Sequence, residues 1–280
     1  MNKSDAVKAG KETGTVEEAG EIVKTIFWAL VIAFIIRTVL FQPYTIPSAS
    51  EEPNLYQGDY IVVSKWSYGY SRHSILFSPP LFSGRLFFSP PTRGDVVVFK
   101  LPRDGHTDYI KRLIGLPGDR IQVRQGVVMI NGKALPQQPV RLIQTDDHGY
   151  PEQVMLRRET NPEGRSYLIQ VHAGDTPADN TGVYVVPAGC YFMMGDNREN
   201  SADSRFDPGL APEDPKLGGC GWDSRVEAQV GNDLGVGFVP QENLVGKAQI
   251  VMLSWKEGAS IFKPWTWLDL RLDRFLRLIK

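Results

Sequence analysis

The apolar run from Thr25 to Ile36 constrains this 280-residue chain more than any other stretch. After Arg37 the apolar residues resume with Val39, Leu40 and Phe41. A helix needs about 20 largely apolar residues to cross a bilayer. Lys24 to Phe41 is slightly short of that, so Arg37 must snorkel toward an interface. A cleaved leader needs a small-x-small site after the run. Phe41-Gln42-Pro43-Tyr44 does not supply one, and Pro47-Ser48-Ala49 is a poor substitute. A core helix of a soluble protein is amphipathic, whereas this run is apolar all round. Residues 24–42 are therefore expected to form an uncleaved transmembrane anchor behind a mobile polar tail, residues 1–23. Lys3, Lys8, Lys11 and Lys24 precede the run, and the nearest basic residue beyond Arg37 is Lys65. That asymmetry places the N-terminus in the cytoplasm and the body outside.

The body reads as antiparallel β. Gly (27) and Pro (20) punctuate many Val/Ile runs, and 42% hydrophobic with 22% charged residues describes a folded chain. A net charge of −1 gives no case for nucleic acid as a partner. Strands are expected at Asp59–Tyr68, Asp95–Leu101, Tyr109–Leu116, Val183–Met194 and Leu244–Trp255. A hairpin is expected from Arg120–Ile130 returning after Asn131-Gly132. Residues 43–135 and 182–255 form the main body, and the more polar 136–181 a smaller inserted β lobe. Residues 207–236 form a Gly/Pro/Asp-rich loop insertion. The Ser71–Pro91 loop carries Phe77, Leu81, Phe87 and Phe88, which means either packing or contact with lipid. In the tail, 256–280, Leu268, Leu272, Phe275, Leu276 and Ile279 fall at helical spacing. An amphipathic helix is expected there, docked on the body or lying on a membrane.

Few residues suggest chemistry. The histidines, His73, His106, His148 and His172, sit in or near polar loops. No nucleophile-elbow or zinc motif occurs. Ser48 and Ser50 lie two apart behind Pro47; in an extended segment both face one way. Such a pair fits a nucleophile and a helper donor, and equally an ordinary loop. Lys111 lies in Asp108-Tyr-Ile-Lys-Arg-Leu-Ile-Gly115, a strand apolar on both faces. If its face is buried, desolvation disfavours the ammonium and the amine can take a proton from serine. The alternative is a lysine snorkelling at a strand edge. A third stretch, Met194 to Arg205, is a turn-rich loop that either pins itself with Asp–Arg pairs or brings Ser201 to Lys111.

Five blocks occur together in one order: Pro47-Ser48-Ala49-Ser50 with Gln57-Gly58-Asp59-Tyr60, Arg93 to Lys100, Asp108 to Asp119, Gly195 to Arg205, and Gly237-Phe-Val-Pro240. In these the chain resembles bacterial type I signal peptidases, from the anchor to Trp255. The resemblance implies a β-rich catalytic domain with an inserted lobe, on the outer face of the bacterial plasma membrane. It implies cleavage of signal peptides with small residues at −1 and −3, and possible transient contact with the export machinery. By position, Ser50 is the nucleophile, Lys111 the general base, and Ser48 an oxyanion donor beside the Ser50 N–H. Ser201 orients Lys111, and no metal or organic cofactor is implied. Tyr44, Ile46, Leu55, Tyr109 and Ile110 line shallow substrate pockets.

The chain departs from the family in three places. Glu51 stands directly after the nucleophile, where Met is usual, and Asn54 where Thr is usual. A carboxylate close to Lys111 favours the ammonium and opposes its role as base; one pointing to solvent costs only an apolar wall. The third departure is the insertion, which carries Cys220. Cys190 and Cys220 are either free thiols or a disulfide tying the insertion down. Two other readings stand beside the active peptidase: an inactive anchored protein that holds signal peptides, and a peptidase specialised for one exported substrate.

Overall fold

The computed structural model describes residues 3–147, 150–172, 176–223, 234–256, 258–259 and 263–280, side chains at 3–17, 19, 146–147 and 150–152 excepted. The rest of the 207–236 insertion, 224–233, lies outside these. The helix α1 (Lys3–Ile35) begins well before the apolar run, through the stretch expected to be a mobile tail. The reason is compositional: the first proline is Pro43, and isolated glycines weaken a helix without breaking it. One π-helical turn, Ile36–Leu40, ends it. Gly20–Leu40 spans 21 residues at a mean hydropathy of 2.1, with none of its apolar window buried against the body.

The strands are β1 (Phe41–Thr45), β2 (Asp59–Ser64), β3 (Val96–Lys100), β4 (Asp108–Gly115), β5 (Arg120–Arg124), β6 (Val127–Ile130), β7 (Lys133–Ala134), β8 (Gln137–Asp147), β9 (Tyr150–Thr160), β10 (Ser166–His172), β11 (Tyr184–Val185), β12 (Cys190–Met194), β13 (Val239–Pro240), β14 (Leu244–Ser254) and β15 (Arg277–Leu278). The main sheet runs β1-β2-β14-β3-β4-β12-β13, with β15 added to β14. Its pairings are antiparallel. Register shifts in β14 let it pair with β3 over its first half and with β15 beyond it; bulges of this kind bend a sheet and increase its twist. Val96–Phe99 are buried on both faces, which is why that strand reads as continuous valine rather than as alternation.

A four-stranded sheet, β11-β5-β6-β7, and a three-stranded sheet, β10-β9-β8, complete the body. The stretch Arg120–Ile130 is two strands rather than one, because Gln125 and Gly126 turn the chain at positive φ (49° and 72°). Asn131 and Gly132 make the second turn at φ 52° and 80°. Both residues of a type I′ turn need positive φ, and a glutamine gives no hint of it.

The tail differs from its expectation. Among its described residues there is no α-helix, only the short 3₁₀ turns Pro264–Thr266 and Leu272–Arg274 before β15. Leu278 pairs with Ile250, and Ile279 N–H donates to the Gln249 carbonyl (2.9 Å). Arg271 donates to the Gln57 and Trp255 carbonyls (2.9 and 2.8 Å), and the buried Arg274 pairs with Asp59 (2.5 Å). These anchors need an extended, turning chain, and they override a helical spacing whose Leu268, Leu272 and Leu276 remain exposed.

Candidate active site

The loop between β1 and β2 is closed at its base by Ile46 N–H to the Asp59 carbonyl (2.9 Å) and Gly58 N–H to the Ile46 carbonyl (3.0 Å). Gly58 must be glycine: its φ is +89°, and a Cβ would lie 2.3 Å from the Trp255 carbonyl oxygen. Ile46 and Leu55 sink into the core and pin both ends of the loop. Between them a tight turn forms, with Asn54 and Leu55 N–H both donating to the Glu51 carbonyl (3.0 and 2.9 Å). Ser50 is nearly buried, Ser48 is exposed, and their hydroxyl oxygens are 3.4 Å apart.

Lys111 sits in β4 opposite Val97 of β3, on a buried face. Its Nζ is 2.5 Å from Ser50 Oγ and 5.9 Å from the centre of the Tyr109 ring. Strand alternation sends Arg112 the other way. Its guanidinium forms a fork on Asp196, with both bonds at 2.7 Å, donates to the Gly94 carbonyl and stacks 4.1 Å over the Tyr167 ring.

The loop after β12 reaches back to the serines. Asn197 N–H donates to the Ser50 carbonyl (3.1 Å) and its side chain to the Ala49 carbonyl (3.3 Å). Gly195 N–H donates to Asp203, which is also gripped by Arg205. A Cβ on Gly195 would lie 2.3 Å from Ser201 Oγ and 2.5 Å from the Ser50 carbonyl oxygen, so those two groups flank it. Ser201 Oγ is buried without a hydrogen-bond partner, and so does not bond to Lys111 in this structure.

Glu51 turns inward. Its side chain is 1% exposed, and Oε1 lies 3.8 Å from Lys111 Nζ. Neither carboxyl oxygen has a hydrogen-bond partner. Burial, and after it Asp196, push this carboxyl well above the usual carboxylate range; Lys111 and then Arg112 pull it down, and Asp203 adds to the rise.

Residues 19–255 match the family model described as signal peptidase, peptidase S26. The chain belongs to that family. A signal peptidase I of Rickettsia typhi is 38% identical over 270 residues, 89% of this chain and 90% of that protein. One of Rickettsia canadensis is 34% identical over 285 residues, 95% and 96% respectively. A crystal structure of a signal peptidase I from Enterococcus faecalis V583 matches 57% of this chain and 97% of that one. Its identity is 23% and its TM-score 0.27, too low to carry a comparison.

The S26 pocket residues named from the resemblance fall in two places. Tyr44, Ile46, Leu55 and Ile110 share one apolar cluster with Val96 and Val98. Tyr109 packs in another, with Phe99 and Leu113. The two cysteines are joined, Cys190 at the start of β12 to Cys220 in the insertion.

Sequence reasoning missed the braces behind the S26 site. Asp196 pairs with Arg112, not with an arginine of its own loop, and Arg198 pairs with Glu159. Asn54 donates to Asp196 (2.7 Å) and to the Leu168 carbonyl (2.6 Å), so the residue standing in place of threonine links the Ser50 loop to β10. Arg274 donates to the Asn54 carbonyl (2.9 Å) as well as to Asp59. The available signal was an arginine in an apolar strand and charged residues that recur near glycine turns, without any indication of who pairs with whom.

Proposed function

We propose that this S26 peptidase cleaves N-terminal signal peptides from exported preproteins with a Ser50–Lys111 dyad. The observation that carries the reading is the 2.5 Å separation of Ser50 Oγ and Lys111 Nζ on a buried strand. In the reactive form Lys111 is an amine and the Ser50 hydroxyl donates to it. Ser50 Oγ bonds to the scissile carbonyl carbon as its proton passes to Lys111, and the carbonyl electrons move onto oxygen. The Ser48 hydroxyl and the Ser50 N–H are the donors for that oxyanion, each commonly worth a few kcal/mol. Lys111 returns the proton to the leaving amine, and then activates water to hydrolyse the acyl-enzyme. Ser201, buried and unpartnered beside the Ser50 carbonyl, turns its hydroxyl to Lys111 when substrate closes the site. Tyr44, Ile46, Leu55, Tyr109 and Ile110 supply the shallow walls that accept small side chains at −1 and −3.

The Gly20–Leu40 helix anchors the enzyme in the bacterial plasma membrane with its N-terminus cytoplasmic, following the lysines that precede it. The Cys190–Cys220 bridge supports an oxidising, extracytoplasmic location for the body. Exposed Phe77, Leu81 and Phe87 and the tail residues Trp265 and Leu268 offer lipid a contact surface. A second reading, a catalytically weakened relative, is favoured by one observation, the Glu51 carboxylate beside Lys111. The deciding experiment incubates the detergent-solubilised chain, Ser50→Ala and Lys111→Ala with a preprotein across a pH series. Cleavage by the parent that is lost in both variants supports the peptidase. No cleavage by the parent at any pH sinks that reading for the substrate used.

A further inference from the structure

Glu51 lies among charged groups: Lys111 and Arg112 on β4, and Asp196, Asp203 and Arg205 on the loop after β12. Four of them are matched among themselves. Arg112 holds Asp196 through two hydrogen bonds, and Arg205 holds Asp203 through two more. Glu51 and Lys111 are left to match each other. Among the described residues, Lys111 is the cation within ion-pair distance of Glu51, at 3.8 Å, and both Glu51 oxygens are buried with no hydrogen-bond donor. Lys111 is 3% exposed, so water offers neither group an alternative partner.

We propose that Glu51 is a positioning residue for proton transfer, holding a shared proton on Lys111 and so setting the pH above which Ser50 is activated. The inference rests on the Ser50–Lys111 reading given above.

Glu51 and Lys111 together are electrically neutral when they carry one proton between them. Any change from that count leaves a net charge in a dry site, which is costly. The one-proton state is therefore the favoured charge state of the pair. Within that state the proton sits on the amine or on the carboxyl. Two factors favour the amine: its intrinsically greater basicity and the attraction of the carboxylate at 3.8 Å. Burial works against both charges, and it is the leading cause that raises the Glu51 carboxyl. While Lys111 is an ammonium it has no lone pair for the Ser50 proton. The attack begins only from molecules in which that proton has left the amine, and holding it there keeps Ser50 idle until the pH is high enough to release it.

A side chain of similar size without a carboxylate removes the restraint. The test compares full-length parent, Glu51→Gln and Glu51→Met in detergent, following kcat/KM for one preprotein from weakly acidic to alkaline buffer. Ser50→Ala serves as the inactive control, and thermal melting checks that each variant folds. The acid limb should fall by about 1–3 pH units in both variants, the usual effect of losing an opposite charge at this range. Activity at the alkaline plateau should change far less than activity at neutral pH. A parent that is silent while either variant cleaves is the same result in its extreme form. A limb that stays in place, or moves to higher pH, in a folded variant overturns the proposal and leaves the dyad standing. A parent already at full activity in weakly acidic buffer overturns it without any variant. Should parent and both variants fail to cleave at every pH, the peptidase reading itself fails, and this inference with it.

Discussion

Removing Arg274 should cost this protein a large part of its stability. The residue lies in the tail, yet its side chain is 3% exposed, and it faces an Asp59 that is fully buried. Nε and Nη2 bond to the two Asp59 oxygens at 2.9 and 2.5 Å. Nη2 also donates to the Asn54 carbonyl at 2.9 Å, and the guanidinium lies 4.5 Å from the Tyr56 ring centre. Exposed ion pairs are worth about 0–1 kcal/mol. Breaking a buried pair by deleting one partner costs about 3–5 kcal/mol, because the other charge stays behind in a dry site. Arg274→Ala is expected to lose that amount in urea unfolding of the detergent-solubilised chain, followed by tryptophan fluorescence. Adding Asp59→Asn removes the stranded charge, so the double variant should lose clearly less than the sum of the two single losses. kcat should fall in Arg274→Ala, since the Asn54 carbonyl belongs to the loop that carries Ser50. A single variant within about 1 kcal/mol of the parent, or losses that simply add, would refute a buried, coupled pair.

Other outcomes follow from the same structure. Relative to the parent, Glu51→Met should gain more melting temperature, or lose less, in mildly alkaline than in mildly acidic buffer. A carboxyl raised by burial in the folded state stabilises least at high pH: its contribution is complete below the unfolded carboxylate range and is lost as pH rises through the folded value. Equal gains at both pH values count against that burial cost. Glu159 carries the opposite sign. Burial raises it, but the Arg198 charge and hydrogen bonds more than offset this and hold it below the usual range. Its stabilisation is therefore present above the unfolded value of about 4.3 and lost as pH falls through the folded one; Arg198→Met should flatten the acid side of a urea-midpoint-versus-pH curve. Gly195→Ala places a Cβ 2.5 Å from the Ser50 carbonyl oxygen, and should cut kcat/KM at least tenfold while costing about 1–3 kcal/mol of stability. Reducing the Cys190–Cys220 bridge, which closes a loop of 30 residues, should cost about 3–4 kcal/mol in the chain-entropy account; an unchanged melting temperature in reductant contradicts it.

What was legible in the sequence was what short-range pattern can carry. The Val96–Phe99 and Lys111 strands, the Asn131-Gly132 turn and the apolar helix each follow from a local rule that the structure obeys. The tail shows the limit of such rules. Its leucines are spaced for a helix, but Arg271 and Arg274 find carbonyls and a carboxylate more than 200 residues away, and β14 offers an open edge to pair with. The site divides in the same way. Ser48, Ser50 and Lys111 were readable as candidates because their motifs are contiguous. Whether Glu51 faced Lys111 or solvent was not, since a single residue in a loop has no periodicity to read. The partnership of Asp196 with Arg112 and Asn54 was hidden for another reason. Each belongs to a different segment, and nothing local to any of them names the others.

Asn54 and Arg274 are separated by 220 residues. A growing chain delivers Ser48 and Ser50 long before this arginine. At roughly 5–20 residues per second, synthesis of the intervening stretch takes on the order of 10–40 seconds. Throughout that interval the loop that carries Ser50 exists without the side chain that ties it to Asp59 and to the tail. That loop receives this brace only after β1 to β14 have been made.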